Sequence, residues 1–460
     1  MLTVDNCPAE RKSSRISAFR FHSFLAWFTR KENIAICIIA IIIFILHLSV
    51  ISKPTTLMFD EKSYVPAANN YLSGGGLLNA EHPPLGKWII ATGIYFFGDN
   101  AIGWRIFSVL FGVAAIFIFY LICVQLCLKE DQEDKAGNHS SAPKQQQQWF
   151  NINTFVPVFA TFLFAFENLS FVQANIGMLD VFYVTFMLLG FLFYMRGNYV
   201  SSGIAMGLSM LCKTMALLGI IAILLHWAFT RRKEITAEIK YFWRRLAGKQ
   251  GPFRSRAFLD IGKLVIVVIV MWLILMPLLE YPASHQLGNP FSRTMYMLKF
   301  AANFNPNHFR QSAVINKPWT WAISPVFFDY SLQPVFLAAI SWNVWLLIIL
   351  SMIYLTYHVI KYHKSPHNIV QFVLAWFFSV YLLLIPLNLI SGRTMFIYYF
   401  YPAVPAVCLA IAWSVWKLRL IMQKDAGHRV ISRCVLALYL VITFATFFLM
   451  SPFGGHFLFK

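Results

Sequence analysis

Charged residues are scarce in this chain: Asp, Glu, Lys and Arg together make up 12% of its 460 residues. A soluble protein of this size carries about twice that share. Hydrophobic residues account for 58% of the sequence, and the mean hydropathy is +0.62. Many apolar runs also reach the length that crosses a bilayer. This composition excludes an ordinary soluble domain and predicts a polytopic membrane protein.

Acidic residues are the rarer sign of charge, with 19 against 38 basic residues and a net charge of +19. Nucleic acid is not the expected partner, because the sequence lacks the stacking-plus-basic pattern of such proteins. Most basic residues lie in short segments between apolar runs, which is the pattern that orients helices against a cytoplasmic leaflet. Cysteine is also rare, and none of the seven cysteines has a metal-ligand context. We therefore expect no metal site, no disulfide framework and no nucleic-acid partner.

The apolar runs predict an all-α fold with about eleven transmembrane helices. Residues 198–229 are divided at Cys212-Lys213-Thr214, because one undivided helix would exceed the bilayer by about ten residues. An undivided helix would also place the basic segment 230–263 outside, against the positive-inside tendency. The expected limits are 33–51, 101–127, 150–166, 177–195, 198–212, 215–229, 262–280, 337–360, 369–390, 394–416 and 429–449.

This division predicts a cytoplasmic N-terminus in a multi-pass protein of the cell membrane. Residues 1–32 are polar and basic and are expected to form a cytoplasmic amphipathic segment. The two longest polar segments, 52–100 and 281–336, then form outer loops on one side. The expected units are a membrane module over 33–280 that includes the first outer loop, the second outer loop, and a four-helix region over 337–460.

The first outer loop begins with the sequence FDEKSYVPAANNYL, which predicts a helix on the membrane surface. Ser63 is the expected N-cap and Pro66 is tolerated in a first turn. A shared helical face is formed by Tyr64, Val65, Ala68, Tyr71 and Leu72. Asp60 and Glu61 then stand at the N-terminal end, where a carboxylate can take a proton from a hydroxyl nucleophile. The alternative is a solvated acid pair, which is the commoner state of surface acids.

Four outward cations lie near helix ends: Lys87, Arg105, Lys213 and Arg393. Each of them alone is most simply explained by snorkelling to the membrane surface. As a group on the side that carries the acids, they are suited to bind a phosphate at headgroup level. The sequence leaves both interpretations open.

Two further stretches of the outer loops carry candidate site residues. HPPLGKW is a rigid turn by composition, and Glu81 and His82 stand at its start. The second outer loop contains Trp319 and Trp321. These tryptophans either anchor the membrane interface, which is their commoner role, or stack on a sugar or peptide.

Several of these motifs, in this order, resemble the protein O-mannosyltransferases. FDE, HPPLGKW and WRIFSVLFG are similar to the N-terminal half of that family, and FAFENLSFVQANIGMLDVFYVTFM to its third and fourth spans. SGRTMFIYYFYPAVP is similar to its C-terminal membrane region. The resemblance covers about residues 33–415, and the order of the motifs is more specific than any one of them.

The resemblance implies a GT-C fold with two extracytoplasmic loops that carry the active site. It further implies transfer of mannose, with inversion, from a dolichyl- or polyprenyl-phosphate donor to Ser or Thr hydroxyls of secreted or membrane proteins. No cofactor or metal is implied, because the lipid-linked sugar is itself a substrate. By the same resemblance, Asp60 maps onto the base with Glu61 beside it, and Arg105 and Lys213 map onto donor-phosphate ligands, with Arg393 as a further candidate.

Two departures from the family pattern stand out. Fungal members have an acid two residues before the His of HPP, whereas Ala80 is at that position here and Glu81 adjoins His82. Eukaryotic members insert a MIR domain in the late outer loop, and 281–336 is too short for one, which points to a prokaryotic-type enzyme. Fungal relatives work as dimers, so a dimer is open here too, although no segment of this chain reads as a dimer surface.

Two other functions compete with this interpretation. One is a GT-C transferase with another prenyl-phosphate sugar or a lipid acceptor, such as the aminoarabinose transferases, whose loop reads EKPP-like where this one reads EHPP. The other is a secondary transporter, which would predict internal repeats and matched broken helices. No such symmetry is present in the sequence.

Overall fold

A computed structural model describes residues 29–136, 151–246, 248, 257–303, 317–362, 367–422 and 425–454. Nearly all of the segment predicted to be amphipathic, 1–32, lies outside the described residues. The helices are Lys31–Val50, Glu61–Ser73, Leu85–Phe97, Ala101–Ala136, Ile152–Ala165, Asn168–Gln173, Asp180–Met195, Tyr199–Cys212, Leu217–Thr230, Arg232–Leu246, Ala257–Ser284, Pro290–Asn303, Trp342–Trp345, Ile348–Lys361, Asn368–Phe377, Leu384–Ser391, Val404–Met422 and Ala426–Met450. Two strands, Phe328–Leu332 and Val335–Ala338, form an antiparallel hairpin.

Each predicted span overlaps helical structure, although 337–360 begins on the second strand, and the count of eleven is not confirmed. In the described part of the chain, seven helical segments are long and apolar enough to cross a membrane. These are Lys31–Val50, Ala101–Asp131, Phe258–Ser284, Trp342–Lys361, Asn368–Ser391, Ile397–Met422 and Ala426–Met450. The other four predicted spans are helices of 14 to 16 residues. A helix of 14 residues is about 21 Å long, which is shorter than the apolar thickness of a bilayer.

The division of 198–229 is confirmed. The helix Tyr199–Cys212 ends where Lys213 adopts an extended backbone with φ −155° and ψ 132°. A short 3-10 turn, Thr214–Ala216, follows and leads into the helix Leu217–Thr230. The break therefore places Lys213 at the junction of two helices.

The first outer loop is mostly helical. Its first helix begins at Glu61, and Asp60 stands at the N-cap position in place of the predicted Ser63, with no capping bond from its side chain. Of the residues of the predicted face, Leu72 is 42% exposed, and the other four are buried. The second helix, Leu85–Phe97, was not expected from the sequence. It packs closely on the helix that follows it, because a Cβ atom on Gly93 would lie 2.2 Å from the Gly103 carbonyl oxygen.

The second outer loop contains the helix Pro290–Asn303 and the β-hairpin, which is a small exception to the predicted all-α fold. Asn168 binds the hairpin to the membrane region, because its Nδ2 donates to the carbonyls of Leu337 at 2.7 Å and Ala339 at 3.1 Å. Its backbone N–H also donates to Ser341 Oγ at 2.8 Å. These bonds hold the hairpin over the start of the first outer loop.

The core that positions the site is formed by helices from the middle of the chain. The helix Asp180–Met195 packs against Ala101–Ala136 on one side and Tyr199–Cys212 on another. The helix Tyr199–Cys212 in turn packs against Ala257–Ser284. This packing brings the first residue of one helix, Asp180, next to the residue that ends another, Lys213.

Candidate active site

The backbone before the acid pair is held by an aromatic cluster. Phe59 has a positive φ of 30°, which is uncommon for a residue with a side chain. Its ring contacts four other rings from the hairpin and from a late segment of the chain. These are Phe328 at 4.7 Å, Tyr330 at 5.4 Å, Phe396 at 5.9 Å and Tyr398 at 5.9 Å between centroids. The cluster fixes the turn that leads into Asp60 and Glu61.

Glu61 is fully buried, and both oxygens of its carboxylate accept hydrogen bonds. Its carboxylate forms a bidentate ion pair with Arg105, at 2.7 Å to Nε and 2.8 Å to Nη2. The backbone N–H groups of Met58 and Gly177 also donate to it, each at 2.8 Å. A Cβ atom at Gly177 would lie 2.9 Å from the Trp104 carbonyl oxygen, so only glycine lets this N–H approach. Glu61 thus anchors the helix Glu61–Ser73 to the helices of the membrane region.

Arg105 has no N–H group left for a phosphate. Besides its two bonds to Glu61, its Nη1 donates to the carbonyls of Ile51 and Pro54, and its Nη2 donates to that of Thr56. Five N–H groups thus meet five acceptors, and the side chain is fully buried. The described geometry assigns Arg105 to holding Glu61 and the start of the outer loop, in contrast to the donor-phosphate role expected from the resemblance.

Asp60 has a very different environment. It is half-buried, and the hydroxyls of Tyr64 and Tyr398 lower the pKa of its carboxyl group by favouring the charged form. Burial raises the pKa of Asp60 to about 7, the nearby Lys213 opposes this rise, and the charge of Asp180 adds to it. A carboxyl group with a pKa near 7 is matched to the task of a general base at neutral pH.

Lys213 and Asp180 form a buried ion pair beside Asp60. Lys213 Nζ lies 2.9 Å and 2.8 Å from the two carboxylate oxygens of Asp180. The same ammonium group lies over the rings of Tyr398 and Tyr399, at 5.4 Å and 5.3 Å from their centroids. Lys213 therefore lies near Asp60, and its nearest counter-ion is a carboxylate of the protein.

Arg393 approaches the site from the C-terminal region. Its Nη2 donates to the hydroxyl of Tyr399 at 3.2 Å, and its guanidinium lies 5.9 Å from the centroid of that ring. Asn388 fixes the local backbone by donating to the Arg393 carbonyl at 2.5 Å. Arg393 thus adds a second cation on the side of Lys213 and Tyr399.

His82 faces the site and Glu81 binds within its own loop. The His82 ring packs edge-on against Tyr64, with centroids 5.7 Å apart, and its Nδ1 is buried without a hydrogen-bond partner among the described residues. Burial and the cations Lys213, Lys87 and Arg393 lower the pKa of His82 well below its usual value, so it is neutral. Glu81 accepts a hydrogen bond from Asn79 at 2.8 Å.

Lys87 closes the HPP loop. Its ammonium group is buried and donates to the carbonyls of Asn79 at 2.6 Å and His82 at 2.9 Å, with Leu78 at 3.5 Å. The loop is also held from outside, because Arg293 Nη2 donates to the Ala80 carbonyl at 2.8 Å. In the described structure Lys87 thus shapes the loop that carries His82.

The two tryptophans of the second outer loop differ. Trp321 is fully buried, stacks on Tyr381 with 6.3 Å between centroids, and accepts a bond from Trp345 through its carbonyl. It has no surface for a sugar. Trp319 is half-buried, and the ammonium group of Lys317 lies 5.3 Å from its ring centroid. Of the pair, only Trp319 is accessible to a ligand.

Four residues of the site were not identified as such from the sequence: Asp180, Tyr64, Tyr398 and Tyr399. Tyr64 was visible as a residue of the predicted helical face, and the run IYYFYP was a further signal. The sequence did not show that the folded chain brings these four residues together. Among the described residues no group of three or more His, Cys, Asp or Glu is arranged to hold a metal ion. That the reaction needs no metal or other cofactor stays a prediction.

Comparison with known proteins gives sequence relatives of one kind. No protein-family model matches the chain. The chain is 29% identical over 142 residues to a polyprenol-phosphate-mannose–protein mannosyltransferase of Mycolicibacterium smegmatis. It is 30% identical over 174 residues to the protein of the same name from Corynebacterium glutamicum. These segments cover 30% and 35% of this chain, but only 23% and 29% of the relatives' own length.

The fold is shared with solved membrane glycosyltransferases. The S. cerevisiae protein O-mannosyltransferase Pmt1-Pmt2 complex bound to the sugar donor matches with a TM-score of 0.67 over 94% of this chain and 91% of that chain, at 11% identity. The archaeal oligosaccharyltransferase AglB of Archaeoglobus fulgidus matches with a TM-score of 0.51 over 92% of this chain and 56% of that one, at 14% identity. The chain is therefore a multi-pass membrane protein with the GT-C fold, and about a third of it is similar in sequence to polyprenol-phosphate-mannose–protein mannosyltransferases.

Proposed function

We propose that this chain transfers mannose from a polyprenyl- or dolichyl-phosphate donor to Ser or Thr hydroxyls of proteins, with inversion at the anomeric carbon. The observation that carries the proposal is the half-buried carboxyl of Asp60, whose pKa of about 7 suits a general base. The names of the sequence relatives support the mannose donor and the protein acceptor. We place the reaction on the extracytoplasmic face and the N-terminus in the cytoplasm.

The chemistry is a single displacement. Asp60 accepts the proton of the acceptor hydroxyl while the oxygen of that hydroxyl attacks the anomeric carbon. The bond from the anomeric carbon to the phosphate oxygen breaks, and its electron pair leaves with the prenyl phosphate. Phosphate is a good leaving group, so one base is sufficient and no covalent sugar–enzyme species forms. Glu61 acts as a positioning residue, because its carboxylate is wholly engaged with Arg105 and two backbone N–H groups.

Lys213 and Arg393 supply the positive charge for the donor phosphate. Both lie beside the ring of Tyr399, and Lys213 also lowers the pKa of Asp60. Cations fixed where negative charge grows lower the barrier to departure of the phosphate. The bond between Lys213 and Asp180 holds the ammonium group in place before the donor arrives. Assembly into a dimer stays a prediction.

Label transfer tests this function. Membranes that contain the protein are incubated with labelled polyprenyl-phosphate mannose and a Ser/Thr-rich peptide, in parallel with membranes that contain Asp60→Asn. We expect label on the peptide with the wild type and a loss of about 10²- to 10⁴-fold with the variant, which is the range for a general base. The matched control is Asp99→Asn, because Asp99 is an exposed acid of the same loop and binds Asn69 and Trp104.

Other outcomes identify the error in the proposal. Label that moves to lipid instead of peptide would overturn the protein acceptor. Transfer from a glucose or aminoarabinose donor, with none from mannose, would overturn the sugar. Equal activity of the wild type and Asp60→Asn would overturn the role of Asp60. Absence of transfer from every prenyl donor would overturn the proposal of a transferase and favour a transporter.

A further inference from the structure

The helix Arg232–Leu246 lies at the end of the membrane region that is remote from Asp60. It follows the helix Leu217–Thr230, which starts beside Lys213 and leads away from it for 14 residues, about 21 Å. The chain then bends by 81° at Arg231. A helix that turns so sharply at the end of an apolar segment is placed to lie along the membrane surface rather than across it.

One stripe of this helix is apolar and faces away from the protein. Ile239, Phe242 and Trp243 are spaced by three and four residues, so they share a face. They are 49%, 58% and 64% exposed. Three large apolar side chains exposed together are costly in water, and a Trp in such a stripe is typical of the membrane interface.

A basic groove runs beside the apolar stripe. The groove has a volume of about 460 Å³ and is lined by Arg232, Lys233, Thr236, Ala237 and Lys240. The spacing of these residues places them on one side of the helix. Glu234 of the same helix is bound by Arg231 at 2.8 Å and 2.9 Å. Within the described part of the chain Lys233 and Lys240 form no ion pair, so these two lysines give the groove its positive charge.

We infer that the helix Arg232–Leu246 is a binding site for anionic phospholipid headgroups. The apolar stripe enters the acyl boundary, and the phosphate of a phosphatidylglycerol-like lipid lies in the groove between Lys233 and Lys240. Two observations favour a lipid as the occupant. The groove adjoins the stripe directly, and the helix continues a membrane segment without a linker. Ammonium groups on an aliphatic stem suit this position, because the stem stays in lipid while the charge reaches the headgroup.

Lipid retention tests the inference. The wild type and the double variant Lys233→Gln/Lys240→Gln are placed in nanodiscs of phosphatidylcholine with a minor share of phosphatidylglycerol, and bound lipids are counted by native mass spectrometry after release. Each lysine near an anionic surface contributes about a fivefold effect, so we expect the double variant to bind phosphatidylglycerol about 30-fold more weakly. The control, Arg429→Gln/Arg433→Gln, removes two basic residues from another helix, Ala426–Met450, and should retain lipid like the wild type.

A second measurement follows the apolar stripe. In nanodiscs of lipids brominated near the headgroup, the difference in emission between the wild type and Trp243→Phe reports on Trp243 alone. We expect this emission to be quenched. Absence of quenching, equal retention of phosphatidylglycerol by the wild type and the lysine variant, or an equal loss in the control would each overturn the inference. Displacement of the lipid by low concentrations of inorganic phosphate would also overturn it, because the site would then bind free phosphate.

Discussion

Asp60 and Glu61 are neighbours in the chain, yet their carboxyl groups have different environments. Asp60 lies half-buried at the candidate site, whereas Glu61 forms a fully buried ion pair with Arg105. The start of the helix at Glu61 turns the two side chains apart. The buried ion pair between Glu61 and Arg105 fixes the backbone at the start of the helix, and this backbone places the Asp60 carboxyl at the candidate site. A single helix end thus separates the buried, ion-paired carboxyl of Glu61 from the proposed base, Asp60.

The ion pair between Glu61 and Arg105 should matter for folding. We expect Arg105→Met to lower the free energy of unfolding by about 3–5 kcal/mol, because it leaves Glu61 as an uncompensated buried charge. Arg105→Lys should recover little of this loss, since one ammonium group cannot replace five N–H donors. Thermal unfolding in detergent measures both variants. Lys62→Met, an exposed neighbour on the same helix, is the control and should unfold like the wild type.

The same variant separates the two roles of Arg105. If Arg105 bound the donor phosphate, as the family resemblance implies, Arg105→Lys would fold normally and show a raised KM for the donor. A loss of stability with an unchanged KM of the remaining folded enzyme supports the structural role.

Transfer should depend on pH through Asp60. The carboxyl must be deprotonated to act as a base, and its pKa is about 7. We therefore expect kcat/KM for the peptide to be constant above this pH and to fall by about tenfold for each pH unit below it. A rate that stays level down to pH 5 would mean that Asp60 is not the base.

Asp180 should set the position of that acid limb. Its negative charge raises the pKa of Asp60, and it also binds Lys213, whose positive charge lowers the pKa. Asp180→Asn removes the first effect and leaves the second, so the pKa of Asp60 falls and the acid limb moves to lower pH. A purely structural role for Asp180 would reduce activity at every pH without moving the limb, so the full pH profile decides between them.

The two tryptophans should respond differently to replacement. Trp321→Ala removes a fully buried ring and should cost about 3–5 kcal/mol of stability. Trp319→Ala should leave the unfolding temperature nearly unchanged, because Trp319 is half-buried beside Lys317. The second variant then tests ligand stacking cleanly: a raised KM for donor or peptide would assign Trp319 to substrate binding, and unchanged kinetics would assign it to the membrane interface.

The sequence was most informative where one physical force dominates. Apolar runs reveal helices, so each predicted span overlaps a helix, and the break at Lys213 followed from bilayer thickness and charge placement. Helix length was less predictable, because 14-residue helices such as Tyr199–Cys212 are set by packing rather than by lipid. The hairpin was missed because four inward residues, Val335–Ala338, are buried without alternation and look like the start of a span.

The site was predictable only in part. Asp60 and Lys213 could be selected because charge next to an apolar run needs an explanation. The roles of Arg105 and Trp321 could not, because a sequence does not reveal how many N–H groups are already satisfied or which ring is enclosed. The ion pair between Asp180 and Lys213, which are 33 residues apart, depends on helix packing alone.

The aromatic cluster around Phe59 has a consequence for biosynthesis. The residue that fixes the turn before Asp60 rests on Phe328 and Phe396, which are synthesised hundreds of residues later. During translation the helix Glu61–Ser73 is synthesised long before its aromatic support exists. We therefore expect a nascent or truncated chain that ends before this support to lack the transfer activity proposed above.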